Sequence, residues 1–180
     1  MKIKVYIATS IDGYIADKDG CIEWLNTIPN PSNDDLGWSD FINSIDAIVM
    51  GKHTFDKVIS FNIDWPYPVP VFVLSNSMVT APNGYKDKIK IINGNPKEIA
   101  CFLKKQGFSN VYIDGGKTVQ QFLNDDLIDE LTITKIPILL GGGIPLFSEH
   151  GNQMAFELVE TKVLINQLVK IRYERKRNCP

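Results

Sequence analysis

The sequence is poor in the residues that form disulfides and bind metals. Its three cysteines, Cys21, Cys101 and Cys179, are odd in number and lack zinc-binding spacing, and its only histidines are His53 and His150. These counts argue against a disulfide framework and against a metal site. We therefore expect a protein of the reducing cytoplasm that holds no metal.

Long apolar runs and an excess of basic residues are also absent. No segment approaches the roughly 20 apolar residues that a membrane-spanning helix needs. The N-terminal run MKIKVYIATS is typical of a strand rather than of a signal peptide. The formal net charge is −2, so the chain has no general basic field that would attract nucleic acid. We expect neither a membrane nor a nucleic acid as a partner.

The hydrophobic pattern alternates between strands and helices for most of the chain. Strand-like runs occupy residues 3–9, 47–51, 70–75, 89–92, 110–114 and 130–139. Helical patterns cover residues 36–45, 53–60, 96–107 and 118–126. Two last strands, 156–164 and 168–175, are separated by three residues and predict an antiparallel hairpin. The pattern predicts one α/β domain over residues 1–180, with a mostly parallel central sheet and helices on both faces.

Three predicted strands end in polar segments that contain glycine or hydroxyl groups. Residues 51–54 and 114–118 each follow a strand and open a helix, whereas residues 75–77 follow a strand without a helix. Ligands of parallel sheets bind beyond the carboxyl ends of the strands, and helix N-termini bind anions. Together the segments predict a site for a multiply phosphorylated ligand, although each alone could be a structural turn.

The segment GGKT at residues 115–118 does not complete the P-loop of ATPases. That motif needs a glycine five positions before its second glycine, and this position is Val111, inside a predicted strand. A P-loop phosphotransferase is therefore disfavoured. The segment Ser75–Ser77, with Lys52 nearby, offers hydroxyls, an amide and a cation in place of the acid that commonly holds the ribose of NADH. This composition favours the 2′-phosphate of NADPH.

Asp35 is the candidate catalytic residue. It precedes a predicted helix whose apolar face consists of Trp38, Phe41, Ile42 and Ile45. Burial against this face would raise the pKa of Asp35, while the helix N-terminus would oppose the rise. Its carboxylate could then pair with the N–C–N edge of a pterin or aminopyrimidine. Equally, Asp34 or Asp35 could simply cap the helix.

The segment SIDG at residues 10–13 follows the first strand. It could be an Asx-type turn that uses Gly13. Because it lies beyond a strand end, beside the expected ligand, it could instead be a mobile loop that covers the nicotinamide. The sequence leaves both interpretations open.

The chain resembles the dihydrofolate reductase superfamily, and within it the C-terminal reductase domain of the bifunctional riboflavin-biosynthesis protein. The resemblance is carried, in family order, by the motifs YIATSIDGYIA, DDLGWSDFINSIDAIVMGKHTFDKV, VFVLSNS, VYIDGGKTVQQFL and TKIPILLGGGIPLF. It implies a dihydrofolate-reductase-like three-layer fold and a homodimer. It also implies a reductase that transfers a hydride from NADPH to a small pterin- or pyrimidine-like substrate.

The resemblance also implies roles for individual residues. Ala8 and Ile15 would contact the nicotinamide carboxamide through their backbone. The pyrophosphate would be capped by Gly51, Lys52, His53 and Thr54, and the 2′-phosphate would be held by Lys52, Ser75, Asn76 and Ser77. The phosphate cradle would be completed by Gly115, Gly116, Lys117 and Thr118, and the two glycines are often joined by a cis bond in the family. Asp35 has the position of the substrate-binding acid of true dihydrofolate reductases.

The resemblance defines the cofactor better than the substrate. One alternative is the 5-amino-6-(5-phosphoribosylamino)uracil reductase of riboflavin biosynthesis, which would need basic groups for a ribose phosphate. Another is a non-enzymatic NADPH-binding protein. The zinc signature of the deaminase partner is absent from the sequence.

Overall fold

The computed structural model describes residues 1–149 and 153–177. His150 and Cys179 lie outside these residues. The described strands are β1 (Lys2–Ser10), β2 (Tyr14–Ala16), β3 (Ala47–Gly51), β4 (Val71–Leu74), β5 (Ile89–Ile92), β6 (Asn110–Asp114), β7 (Glu130–Ile136), β8 (Ile144–Pro145), β9 (Ala155–Leu164) and β10 (Leu168–Lys176). The described helices are α1 (Trp38–Ile42), α2 (Lys52–Ser60), α3 (Pro96–Lys105) and α4 (Gly116–Asn124), with a 3₁₀ helix at Glu23–Thr27.

Eight strands form the central sheet, in the order β5-β4-β3-β6-β1-β7-β10-β9. The first six are parallel to their neighbours, whereas β10 runs antiparallel to both β7 and β9. The predicted mostly parallel sheet with a C-terminal antiparallel hairpin is therefore confirmed. A second sheet, in which β2 pairs with β8, was not predicted. Its strands have three and two residues, too few to give a periodic pattern.

Alternate residues of the central strands pack on opposite faces of the sheet. In β3, Val49 belongs to the core that contains residues of α3 and α4, whereas Met50 belongs to the core that contains residues of α1 and α2. Both side chains have no solvent exposure. The result is the predicted three-layer arrangement, with helices on both sides of the sheet.

Local signals explain where several elements begin and end. Asn95 and Glu98 form a capping box at the start of α3, and Pro96 occupies its first turn, where it needs no N–H partner. The strand predicted to reach residue 139 ends at Ile136, because Pro137 has no N–H to continue the ladder. The helix predicted over residues 36–45 is shorter, covering only α1. Within the described residues, no helix has the length and apolarity needed to cross a membrane.

Candidate active site

Three polar strand ends meet at one edge of the central sheet. Gly51 at the end of β3 pairs with Leu74 of β4, and Met50 pairs with Asp114 of β6. The three strands therefore end within about one residue of each other in register. The segments that the sequence analysis grouped together do lie side by side.

The helices that follow β3 and β6 leave this edge on opposite faces of the sheet. Phe55 of α2 packs in one core, and Val119 of α4 packs in the other. Adjacent parallel strands whose connections diverge in this way open a crevice beyond their carboxyl ends, where ligands of α/β proteins bind. Both helix N-termini begin beside that crevice, so their first N–H groups favour an anion there.

The two helix starts pack against each other through glycines and threonines. Gly115 has a φ of +89°, and a Cβ at this position would collide with Oγ1 of Thr54. On the other side, a Cβ on Gly51 would lie 3.0 Å from Oγ1 of Thr118. Each threonine thus occupies the space that a side chain would need. These contacts allow the two N-termini to approach closely.

The predicted cis bond between the paired glycines is not found. No peptide bond of the described residues is cis. Gly115 is needed instead for its positive φ and its contact with Thr54. At Gly116, a Cβ would lie 2.7 Å from Cδ1 of Ile15, so the second glycine leaves room for that side chain.

The residues proposed to hold the 2′-phosphate differ in their availability. Oγ of Ser75 accepts hydrogen bonds from the N–H groups of Met78 at 2.9 Å and Ser77 at 3.2 Å, so this hydroxyl shapes the turn. Lys52 forms an ion pair with Asp56, one turn along α2. Both partners are about 40% exposed, and such pairs contribute only about 0–1 kcal/mol. The Lys52 ammonium can therefore exchange Asp56 for a ligand. The remaining exposed side chains of the cradle are His53, Asn76, Ser77 and Lys117.

Ala8 lies where β1 extends past β6. The N–H of Asp129 donates to the C=O of Ile3, so odd-numbered residues of β1 direct their backbone groups towards β7. Even-numbered residues face β6, because alternate residues of a strand address opposite neighbours. Lys4 is the last residue of β1 that pairs with β6. The backbone N–H and C=O of Ala8 consequently face the crevice beyond the end of β6.

The SIDG turn is fixed by hydrogen bonds. Asp12 accepts from the hydroxyl of Ser10 at 2.6 Å and from the N–H groups of Leu140 at 3.2 Å and Gly141 at 2.8 Å. Ser10 Oγ in turn accepts from the N–H of Tyr14 at 2.9 Å. The side chains of Ser10 and Asp12 therefore tie this turn to the glycine-rich segment after β7. These contacts support the turn interpretation, and the hypothesis of a mobile cover stays a prediction.

The side chain of Asp35 is exposed, and its carboxylate is engaged in hydrogen bonds at the start of α1. Its carboxylate accepts from the N–H of Gly37 at 2.8 Å and from the N–H of Ser39 at 3.0 Å. Hydrogen bonds from the side chain and backbone of Ser39, and then from Gly37, lower the pKa of Asp35. The expected burial with a raised pKa is therefore wrong. Asp35 holds the first turn of α1 through the N–H of Ser39, as the alternative interpretation expected, although the N-cap position itself is Gly37. A catalytic role for Asp35 stays a prediction.

A second carboxyl group lies at the crevice itself. Asp114 ends β6, and its Oδ1 accepts from the N–H of Gly115 at 2.8 Å. Burial raises the pKa of Asp114, while hydrogen bonds from Tyr112 and Gly115 oppose this rise. Asp114 belongs to the polar segment 114–118 predicted from the sequence, but no role was predicted for its side chain. The available signal was its position two residues after Tyr112, on the same face of β6.

Asp114 lies at the edge of an aromatic cluster, which it contacts through Tyr112. The ring centroids of Tyr6 and Phe41 lie 4.5 Å apart, and those of Phe41 and Tyr112 lie 5.1 Å apart. The predicted aromatic face of α1 is therefore real, and it packs on Tyr112, the neighbour of Asp114. Tyr67 approaches from the proline-rich loop before β4. Burial, and then the charge of Asp114, raise its pKa.

The charges near these rings are mostly acidic. Burial raises the pKa of Tyr6 to about 12, and three acids add to the rise in the order Asp35, Asp34 and Asp40. Lys170 is a nearby cation, and its ammonium lies 5.7 Å from the Tyr6 ring centre. That ammonium donates to the C=O of Leu36 at 2.9 Å. In the part of the chain that the structure describes, no His, Cys, Asp and Glu cluster could hold a metal.

The chain matches one known protein family and a bacterial relative over nearly its whole length. The family described as the RibD C-terminal domain matches residues 1–170. The uncharacterized protein YwjB of Bacillus subtilis (strain 168) is 37% identical over 177 residues, covering 97% of this chain and 98% of its own.

Solved structures share the fold over nearly the whole chain. A protein of Shewanella sp. PV-4, assigned provisionally to riboflavin biosynthesis, is 49% identical with a TM-score of 0.95, covering 98% of this chain and 100% of its own. Dihydrofolate reductase from Enterococcus faecalis, complexed with NADP(H), has a TM-score of 0.66 at 17% identity, covering 98% of this chain and 97% of its own. At that identity, the second likeness concerns the fold alone.

Proposed function

Since this chain belongs to the RibD C-terminal domain family, we propose that it is an NADPH-dependent reductase of a planar pterin- or pyrimidine-like ring. One observation carries the proposal: two helix N-termini open on a crevice beside Asp114, a carboxyl group next to Tyr112 and Tyr67. The first feature suits phosphates, and the second suits a flat heterocycle. A cofactor and a substrate would therefore meet at one edge of the sheet.

The cofactor half of the crevice consists of the glycine-marked strand ends. The N–H groups of residues 51–54 and 115–118 would bind the pyrophosphate, because helix N-termini carry partial positive charge. Lys52 would exchange Asp56 for the 2′-phosphate, with Asn76 and Ser77 beside it. The backbone of Ala8 and Ile15 would hold the carboxamide. When bound, NADPH supplies the hydride, and the protein supplies position and exclusion of water.

The substrate half of the crevice contains the acid. A carboxyl group whose pKa is raised keeps its proton to higher pH, so Asp114 can donate a hydrogen bond to a ring nitrogen. The rings of Tyr6, Phe41 and Tyr112 pack on one another, and this cluster would form one wall beside a flat substrate. Asp114 fits the acid role better than Asp35, because the carboxylate of Asp35 is engaged by the start of α1. Asp35 would then position the aromatic face of α1.

The riboflavin-pathway reductase is the second candidate, and the family match favours it. Its substrate carries a ribose phosphate, which requires cationic partners. The charged side chains that raise the pKa of Tyr6 are the acids Asp35, Asp34 and Asp40. The ammonium of Lys170 already donates a hydrogen bond to the C=O of Leu36. An acidic surrounding repels a phosphate dianion. We therefore rank an unphosphorylated heterocycle first.

Titration with NADPH, NADH and ATP tests the cofactor half. We expect NADPH to bind about tenfold or more tightly than NADH, because one charged hydrogen bond contributes about 1.5–3 kcal/mol. Mg-ATP should not bind comparably. Equal binding of all three nucleotides, or binding of none, would contradict the proposal.

Turnover tests the substrate half. Dihydrofolate, pterins, aminopyrimidines and the phosphoribosyl aminouracil are incubated with protein and NADPH, and NADPH fluorescence is followed. Oxidation with an unphosphorylated ring supports the first candidate, and oxidation only with the phosphoribosyl compound supports the second. Tight NADPH binding without turnover on any of them would favour the non-enzymatic alternative. Sedimentation of the same samples tests the expected homodimer.

A further inference from the structure

A cavity of about 520 Å³ lies on the face of β7 and β10, away from the crevice described above. Its floor includes Leu131 and Ile133 of β7 and Ile171 and Tyr173 of β10. The volume falls within the roughly 300–1,000 Å³ typical of small-molecule sites. The cavity is therefore large enough for a ligand of about ten heavy atoms, which each need roughly 20–30 Å³.

The lining is apolar with a single charge. Among the described residues that line the cavity, Lys135 is the only charged one. Phe156 and Tyr173 contribute aromatic surface to the wall, and Phe147 at the rim is 43% exposed. Ligand sites commonly combine such apolar walls with one or a few polar groups that fix orientation.

The ammonium of Lys135 lies at the end of the cavity nearest the end of β1. It donates to the C=O of Ser10 at 3.2 Å. The acid whose charge interacts with this ammonium is Asp12. The Asp12 carboxylate already accepts three hydrogen bonds, from residues 10, 140 and 141. Burial lowers the pKa of Lys135, and Asp12 only opposes this effect. The cation is thus partly desolvated without a close carboxylate of its own.

A buried hydroxyl beside Lys135 also lacks a partner. Thr9 of β1 pairs with Lys135 of β7 in the parallel ladder, so the two side chains lie next to each other on one face of the sheet. Thr9 has no solvent exposure, and within the described residues its Oγ1 has no hydrogen-bond partner. Buried polar groups are nearly always paired. Thr9 does not itself line the cavity, so its unpaired hydroxyl lies next to Lys135 but is closed to solvent.

We propose that this cavity is a second ligand site, which takes a small apolar molecule with one carboxylate group. The apolar part would lie against Leu131, Ile133 and Ile171. The carboxylate would meet the Lys135 ammonium, the one charged group of the lining among the described residues. The charge of Lys135, set in an apolar wall, selects an anion over a neutral or cationic molecule of the same shape. This site does not depend on the proposed reductase activity.

Calorimetric titration with octanoate, octanol and octylamine tests the proposal on the whole protein. We expect octanoate to bind most tightly, and Lys135→Met to weaken octanoate about tenfold while leaving octanol unchanged. Lys104→Met is the matched control, since it removes one exposed positive charge of α3. It should leave octanoate binding unchanged. Circular dichroism spectra that match the wild type confirm that both variants fold.

Three outcomes would overturn the proposal. The first is octanol binding as tightly as octanoate, and the second is Lys135→Met leaving octanoate affinity unaltered. The third is that octanoate does not bind and the protein sediments as a dimer. This result would indicate that a second copy of the chain covers this face. Because no nucleotide is present in the titration, a failure here says nothing about NADPH binding.

Discussion

Thr54, in the first turn of α2, lies directly against Gly115, the residue before α4. A side chain on Gly115 would occupy the position of Oγ1 of Thr54. This contact joins two helices that pack on opposite faces of the sheet, and it sets the distance between their N-termini. The proposed phosphate cradle therefore depends on an approach that only glycine permits.

Gly115→Ala should destabilise the protein and abolish NADPH binding. The added Cβ meets Thr54, and the φ of +89° adds strain of about 1 kcal/mol or more. Urea unfolding measures the loss of stability, and fluorescence titration measures NADPH affinity. The matched control is Gly107→Ala, where φ is +90° but nothing lies within 4 Å of the new Cβ. If both variants lose equal stability and both bind NADPH, the contact with Thr54 has no role.

Asp114→Asn should reduce turnover on the true substrate at least tenfold while NADPH affinity changes less than twofold. The reason is that Asp114 would act on the substrate and not on the cofactor, and general acid catalysis contributes about 10²–10⁴-fold. Steady-state kinetics and NADPH titration give the two numbers. Unchanged turnover would remove Asp114 from the mechanism.

The stability of Asp114→Asn should depend on pH in a defined direction. Burial raises the folded-state pKa of Asp114 above its ordinary value of 3.8, so ionisation opposes folding. The contribution of the protonated form is complete below pH 3.8 and is lost as pH rises through the raised folded pKa. Relative to wild type, Asp114→Asn should therefore become more stable as pH increases above about 4. Denaturant unfolding between pH 4 and 8 checks this, and a flat difference would contradict it.

Asp35→Ala should lower stability, and Asp35→Ser should restore part of it. The single hydroxyl of Ser can accept one of the two N–H hydrogen bonds at the start of α1, whereas Ala can accept neither. Because the folded pKa of Asp35 is lowered, its contribution is present above the unfolded pKa and lost as pH falls through the folded pKa. Thermal unfolding at neutral and acid pH measures both effects. Turnover that survives in Asp35→Ser would identify a cap, and turnover lost there without a loss of stability would identify a catalytic acid.

Lys52→Gln should weaken NADPH binding about tenfold and leave NADH binding unchanged, because only NADPH carries the 2′-phosphate. Fluorescence titration with the two cofactors gives the ratio. Lys57→Gln is the control, since Lys57 lies on the same helix and pairs with Glu23. An equal loss for both cofactors, or an equal effect of both substitutions, would show that Lys52 does not recognise the 2′-phosphate.

The sequence alone predicted the fold class and most of its elements. An apolar run of four residues marks β4, β-branched residues make up much of β7, and Pro96 marks the start of α3. These signals are local, because side-chain period and capping depend on neighbouring residues. The pairing of β2 with β8 was not predictable, since it joins Tyr14 to Pro145 across most of the chain.

The candidate site also has a part that was predictable from local sequence and a part that was not. The glycine-marked strand ends were identified from the sequence, because a strand that stops at glycine and opens a helix is a local pattern. The proposed exchange of roles between Asp35 and Asp114 rests on tertiary structure alone. Asp114 is half-buried because Tyr67 comes from a separate loop and Tyr112 packs on α1, whereas Asp35 is exposed. Burial sets the cost of a charge, and burial depends on which distant segments the fold brings together.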